Sequence, residues 1–319
     1  MTIAVPTIAA KRTPKKSTQA RREAILFYVC VAPWVIGFIL LTLGPMLWSL
    51  YLSFTRWDVL TPPEWIGLAN YTYIITRDTD FYQALRVTST FAIFSIPLQL
   101  ITGLLMAILL NEATRGVGLF RTVFYLPSVV AVVAAAVLWQ WLLNPDVGPI
   151  NGFLGLFGIQ GPKWFADPKY ALWGMIIMSV WGAGGQMLIF LAGLKGIPKA
   201  LYEAAEIDGA GIWTRFSKVT VPMLSSTLFF NLIMGIIGSF QTFGAAWVIS
   251  TARAGQIGGP LKSTLFYMLY AWSKGLGAET KMGYASALTW ILFIIILVIT
   301  LITIRSSAVW VYYESEKKG

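Results

Sequence analysis

Six stretches of this 319-residue chain, roughly 24–54, 84–110, 120–143, 170–194, 221–250 and 285–304, are apolar over lengths that leave few options for a fold. A membrane span needs about 20 such residues to cross the hydrocarbon core of a bilayer. The sequence therefore predicts an all-α integral membrane protein with six transmembrane helices. The residue balance agrees, with 57% hydrophobic and 12% charged residues, the latter about half the share usual in soluble domains.

Charge fixes the expected orientation. Placing both ends in the cytoplasm puts most of the 24 Lys and Arg inside, among them Lys11, Arg12, Arg21, Arg22, Arg115, Lys195, Lys199, Arg215, Lys218 and Arg305. That is the pattern of the positive-inside rule, and an even number of spans requires both ends on one side. The net charge of +10 follows topology rather than one basic, aromatic-rich domain, so nucleic acid is not an expected partner. The apolar run from Ala24 is too long for a signal-peptide core and no small-residue cleavage pattern follows it, so it reads as a retained anchor. With no His and a single Cys, neither a disulfide, a metal site nor His- or Cys-based catalysis is expected. Cys30, inside the first span, reads as a small packing residue.

Between the fourth and fifth spans the chain turns polar. Leu201 to Pro222 reads L-Y-E-A-A-E-I-D-G-A-G-I-W-T-R-F-S-K-V-T-V-P, with Glu203, Glu206, Asp208, Arg215 and Lys218 in one stretch. Leu201 to Asp208 consists of good helix formers, Gly209 suits the left-handed end of a helix, and Ile212 to Val219 starts again. A helix-turn-helix lying at the membrane surface is expected. The small Ala204 and Ala205 leave room for another protein's surface, and Glu203 and Asp208 supply acceptors around the turn. An ordinary interfacial helix with Tyr202, Ile207 and Trp213 toward lipid satisfies the same pattern.

The run Glu203-Ala204-Ala205, then Asp208-Gly209-Ala210, Phe216 and Pro222, resembles the EAA loop of permease subunits in binding-protein-dependent ABC importers, in the form of the maltose-permease-like, carbohydrate-uptake branch. Gly67-Leu68-Ala69-Asn70-Tyr71, Arg121 to Pro127, and Asn144-Pro145-Asp146-Val147-Gly148-Pro149-Ile150-Asn151 are similar to other pieces of that family. The resemblance implies a type I ABC importer permease fold, with a six-helix domain over 24–308, a coupling loop over 195–222 and cytoplasmic tails over 1–23 and 309–319. It assigns Glu203, Ala204, Ala205, Asp208 and Gly209 to a coupling helix that docks on a cytoplasmic ATPase. It also implies a second, homologous permease, two copies of the ATPase, and an extracytoplasmic solute-binding protein met by the outer loops. ATP and Mg would be bound by the ATPase and no cofactor by this chain, in a bacterial or archaeal inner membrane. Unlike the family's best-known member, the chain has no large outer insertion between early spans.

Within the spans, the fourth carries Trp181-Gly182-Ala183-Gly184-Gly185-Gln186, whose glycines allow close backbone approach or an unwound turn beside water. The fifth carries Asn231, Gly235, Gly238, Ser239, Gln241 and Thr242, a small and polar face whose amides and hydroxyls need partners in hydrocarbon. Gly182, Gly185, Gln186, Asn231, Gly235, Ser239 and Thr242 are thus the expected lining of a solute path, although neighbouring helices satisfy such groups equally well. Trp139 and Trp141 read as headgroup anchors. Asn70-Tyr71-Thr72 fits a glycosylation sequon, a tripeptide that also arises by chance. Lys262, Lys274 and Lys281 in a long outer loop are compatible with an acidic sugar, although exposed lysines are usually only solvated.

The energy source is constrained by what the spans omit. No Asp or Glu falls in a central portion of a span, and Arg86, Arg121 and Arg305 stand at boundaries, so the mid-membrane relay of a proton- or ion-coupled carrier is missing. Gly193-Leu194-Lys195-Gly196 lacks the glycine spacing of a phosphate-binding loop. A pump of this kind draws energy from a partner. A passive channel needs no acidic inner helix pair, and an importer for a non-sugar solute such as a glycerol-phosphate-like compound remains an alternative.

Overall fold

The computed structural model describes residues 18–112, 116–251, 257–277 and 279–312. Residues 1–17 of the basic tail, Arg115 and residues 313–319 lie outside them. The chain divides into a first unit ending at Tyr51 and a second beginning at Leu52.

The first unit is one helical rod, α1 (Thr18–Phe38), a π turn over Ile39–Leu43, and α2 (Gly44–Ser53), whose last two residues belong to the second unit. The π turn ends directly before Pro45: Gly44 donates its N–H five residues back, to the Ile39 carbonyl. Proline lacks an N–H and its ring clashes with the carbonyl four residues earlier, so a wider turn lets the helix pass it. No residue in the most apolar window of this rod is buried. Cys30 is accordingly exposed rather than packed.

The second unit begins with a two-stranded antiparallel ribbon, β1 (Thr55–Arg56) and β2 (Glu64–Trp65), then α3 (Ala69–Arg77) and the long α4 (Thr79–Glu112). There follow α5 (Val117–Val129), α6 (Val132–Leu142), α7 (Pro149–Leu156), α8 (Pro168–Trp181) and α9 (Gly184–Gly196). The polar stretch forms α10 (Lys199–Ile207) and α11 (Ile212–Arg215), and a π turn over Phe216–Thr220 joins α11 to α12 (Val221–Met223) and α13 (Ser225–Phe240). The chain closes with α14 (Gly244–Thr251), α15 (Tyr267–Gly275) and α16 (Met282–Trp310).

Four stretches are long and apolar enough to cross a membrane, one of them running through α13 and α14, and six when the sharply bent pairs α5–α6 and α8–α9 each count as one. The α5–α6 pair bends by 98°. It still carries the chain from one end of the bundle to the other. Val117 packs on a cluster with Leu110, Leu194 and Leu224, while Gln140 donates to the Val248 carbonyl at 2.9 Å and Ala136 joins a cluster with Val248 and Phe266.

At this second end the expected loop 251–284 is largely structured. Leu265, Phe266, Tyr267, Leu269 and Tyr270 are buried, because α15 lies against α4 and α16 and supplies a core that the spans alone lack. Asn70 is buried and donates to the carbonyls of Ser53 and Thr55, both at 2.9 Å, a structural role in place of glycosylation. Asn144 and Asn151 likewise build their own loop: Asn144 accepts from Asp146 N–H, and Asn151 bonds the Pro145 and Pro162 carbonyls and the Trp164 indole. Trp139 is buried edge-on to Trp181 rather than anchoring at the headgroups, whereas Trp141 stays exposed.

Candidate functional site

The projecting arm formed by α10 and α11 is set by local backbone chemistry. Gly209 takes φ 73°, its N–H reaches the Glu206 carbonyl at 3.0 Å, and the Ala210 N–H reaches Ala205 at 2.8 Å. This pair of bonds is the glycine-capped helix end that satisfies carbonyls left over at a C-terminus. Across the turn, Arg215 pairs with Glu206. The π turn that follows again ends before a proline: the Val221 N–H bonds the Phe216 carbonyl, and Pro222 comes next.

Of the five residues assigned to this arm, Glu203, Ala204, Asp208 and Gly209 are exposed and Ala205 is half-buried. Among the described residues Glu203 and Asp208 have no ion-pair partner. Ile207, Ile212 and Trp213 are also exposed, at 87%, 77% and 81%. The arm therefore presents unpaired acids, small residues and bulky apolar groups together.

A second feature is a cleft of about 650 Å³ between α4, α5, α6, α8, α9, α13 and α14. All seven expected path residues, Gly182, Gly185, Gln186, Asn231, Gly235, Ser239 and Thr242, line it. Gln186 donates to the Gln99 side chain at 3.1 Å, and Asn231 donates to the Thr227 carbonyl one turn back at 3.0 Å. The cleft also takes in Trp181, which opens the glycine-rich run of the fourth span, and Gln99, Ser128, Ser179, Phe91 and Phe230, which sequence reasoning did not single out. Gln99 carried the missing signal, an amide inside an apolar run that must find a partner. Among the described residues no charged side chain lines the cleft.

At the end of the bundle away from the arm, a cluster with no counterpart in the sequence reading surrounds Asp78. Its Oδ1 caps α4 by accepting from the N–H groups of Asp80 and Phe81, both at 3.0 Å. Its Oδ2 accepts from the hydroxyls of Tyr270 and Tyr284. Burial, and then the bond to Asp78, push the Tyr270 phenol far above its ordinary range. Nearby, Lys262 pairs with Asp80 at 2.6 Å, Lys281 with Glu279 at 2.7 Å, and Lys274 with Glu279 as well. The three lysines expected to suit an acidic sugar are thus matched by carboxylates of the chain itself. Hydrogen bonds from Lys274, the larger effect, and from Lys281 hold the Glu279 carboxyl below the usual range.

A membrane-crossing helical bundle with an uncharged internal cleft and a surface arm at one end defines a solute-transport component. The family of binding-protein-dependent transport system inner membrane components matches residues 99–310, and the chain belongs to it. The chain is 44% identical over 306 residues to the probable ABC transporter permease protein YesP of Bacillus subtilis, with 95% of this chain and 97% of that protein covered. It is 31% identical to the trehalose/maltose transport system permease protein MalF of Thermococcus litoralis, over 89% and 94% of the two chains. In fold it is similar to a bacterial ABC transporter that imports the acidic polysaccharide alginate, with a TM-score of 0.79 at 22% identity over 92% of this chain and 99% of that one. The fold is that of a type I ABC importer permease.

Proposed function

We propose that this permease moves a neutral sugar or oligosaccharide, handed over by an extracytoplasmic binding protein, through the cleft lined by Gln99, Gln186, Asn231, Ser239 and Thr242. The carrying observation is the lining itself: amides and hydroxyls between the aromatic walls of Phe91, Trp181 and Phe230, with no charged side chain among the described residues. Amides and hydroxyls exchange hydrogen bonds with sugar hydroxyls, and aromatic faces cover the apolar faces of a ring. A phosphate-bearing solute finds no counter-charge there. That trehalose and maltose are carried by a system whose permease is 31% identical to this chain supports the same class.

In this reading the arm is the docking point for a cytoplasmic ATPase. Glu203, Ala204, Ala205, Asp208 and Gly209 enter its surface, and ATP and Mg are bound there rather than in this chain. Both termini and the arm lie in the cytoplasm, and the end holding Asp78 and α15 faces the binding protein. A second, homologous permease completes the pair that sits on two ATPase copies in a bacterial or archaeal inner membrane. The domain limits follow: a membrane domain over 24–308, including the arm, between short cytoplasmic tails.

The test is disulfide crosslinking of Ala204→Cys, in a Cys30→Ser background, within the complex purified from its native membrane. The ATPase partner in that preparation carries single cysteines around its permease-facing surface. A crosslink that forms in good yield and changes when ATP is added is expected. An assembled complex in which Ala204→Cys crosslinks to no ATPase position refutes the docking assignment.

A further inference from the structure

We propose that the hydrogen bond between Tyr202 and Thr220 makes the arm and α13 one lever, so that motion imposed on the arm is delivered to the cleft. The inference rests on the reading of the arm as the ATPase docking point. Tyr202 stands on α10 and its hydroxyl lies 3.0 Å from Thr220 Oγ1. Thr220 is the last residue of the π turn and is 7% exposed, and the bond it makes with Tyr202 is part-buried. The Glu206–Arg215 pair across the same arm is not shielded, with Glu206 60% exposed, and an exposed pair contributes little.

The helical run that begins at Ile212 continues through the π turn and α12 into α13, with right-handed helical backbone at each junction. Farther along that run, Asn231, Gly235 and Ser239 face the cleft. Thr220 sits between the arm and those residues, and Tyr202 ties α10 to it. A π turn holds one residue more than an α turn and so re-aims the residues that follow. A cavity of about 530 Å³, lined by Leu105, Ile108, Asn111 and Glu112 of α4 on one side and by Tyr202, Arg215 and Thr220 on the other, separates the arm from α4. The arm is thus bonded to one helix that lines the cleft, α13, and set across a cavity from another, α4. A docked partner that shifts the arm carries α13 with it, with the cavity taking up the movement relative to α4. Tyr202 and Thr220 are positioning residues: neither lines the cleft.

The experiment uses the whole complex purified from its native membrane, with Ser239→Cys as a reporter in the Cys30→Ser background and a soluble maleimide as the probe. The labelling rate is measured without nucleotide and after trapping with ATP, Mg and vanadate. Tyr202→Phe and Thr220→Val should each retain the ATPase, its hydrolysis rate and the labelling rate without nucleotide. Each should shrink the nucleotide-dependent change in labelling by about fivefold, the population shift that one hydrogen bond of ordinary strength permits. The double variant should be no worse than either single one, and Thr220→Ser should restore the change. A full nucleotide response in both single variants overturns the proposal, as does a loss of ATPase together with altered labelling without nucleotide, which marks a role in folding alone. A wild-type complex that retains no ATPase instead overturns the docking assignment, and the lever with it.

Discussion

Gly184 and Gly185 are adjacent in sequence and opposite in what they tolerate. A Cβ built on Gly184 would lie 2.3 Å from the Phe124 carbonyl oxygen and 2.9 Å from Tyr125 Cα, both backbone of α5, whereas one on Gly185 meets nothing within 4 Å. Contacts under 3.0 Å are essentially never seen, so Gly184→Ala must separate α5 from α9 by at least about 0.7 Å, the difference between 3.0 and 2.3 Å. Overpacking of this kind costs about 1–3 kcal/mol, and alanine's better helix propensity returns less than about 1 kcal/mol at the first residue of a helix. A net loss of about 1–2 kcal/mol corresponds, in a chain of this length, to a drop in melting temperature of about 2–3 °C. Gly185→Ala carries the propensity gain without the clash and should melt no lower than wild type. Its methyl group enters the cleft, so solute uptake should fall while stability holds. Thermal unfolding of the purified protein in detergent, with uptake measured in parallel, separates the two. Equal melting temperatures for the two variants would refute the packing argument, and unimpaired uptake by Gly185→Ala would remove that residue from the path.

Two further outcomes follow from the end of the bundle that holds Asp78. Asp78→Ala removes the cap of α4 and leaves the Tyr270 and Tyr284 hydroxyls without their acceptor; a lost cap of about 1 kcal/mol and two orphaned hydroxyls at about 1–2 kcal/mol each give about 3–5 kcal/mol. Amide hydrogen exchange should speed up at the start of α4 and in α15, and unchanged protection there would show that the network contributes nothing. The Glu279 carboxyl is depressed in the folded state by Lys274 and Lys281. Its stabilising contribution is therefore present above the ordinary value of 4.5 and lost as pH falls through the lower folded value. Glu279→Gln should flatten the acid limb of the melting-temperature profile in that window, an effect that salt weakens because the carboxyl is partly exposed. A profile identical to wild type at low salt would place the ion pairs outside the stability balance.

The spans and the arm were legible because both are written locally. Apolar length marks a crossing, and Glu206-Ile207-Asp208-Gly209 marks a helix that must stop, as the left-handed Gly209 confirms. The gathering of Gly182, Gln186, Asn231 and Ser239 in one cleft was also readable, since polar and small residues in hydrocarbon have few other places to go. What escaped was long-range. Asp78 bonds residues 192 and 206 positions away, and no local pattern announces such a meeting. The segment Tyr267–Gly275 is too short and too polar for a span. It reads as loop until α4 and α16 supply the surface that buries Leu269 and Tyr270. The lysines nearby looked available for an anionic solute only while their carboxylate partners were unplaced.

The breaks in the spans bear on how the cleft, the solute path proposed above, is lined in a chain with so few polar residues in its apolar stretches. Between α5 and α6 the helix stops at Val130–Ala131, between α8 and α9 at Gly182–Ala183, and between α13 and α14 at Gln241–Phe243. Val130 and Val132, Gly182 and Gly185, and Thr242 and Ala245 all line the cleft, so three interrupted spans meet there. The end of each helix leaves up to four N–H or carbonyl groups without a partner in the helix. The single-turn bonds at the breaks, Val130 to Pro127, Gly182 to Ser179 and Thr242 to Ser239, satisfy only some of them. Non-helical backbone at membrane depth is stable where it borders protein or a water-filled cavity and not where it meets lipid. The cleft therefore draws polarity from the main chain as well as from Gln99, Gln186 and Asn231. That supply is invisible in composition, because a valine or a glycine contributes it as well as an asparagine does.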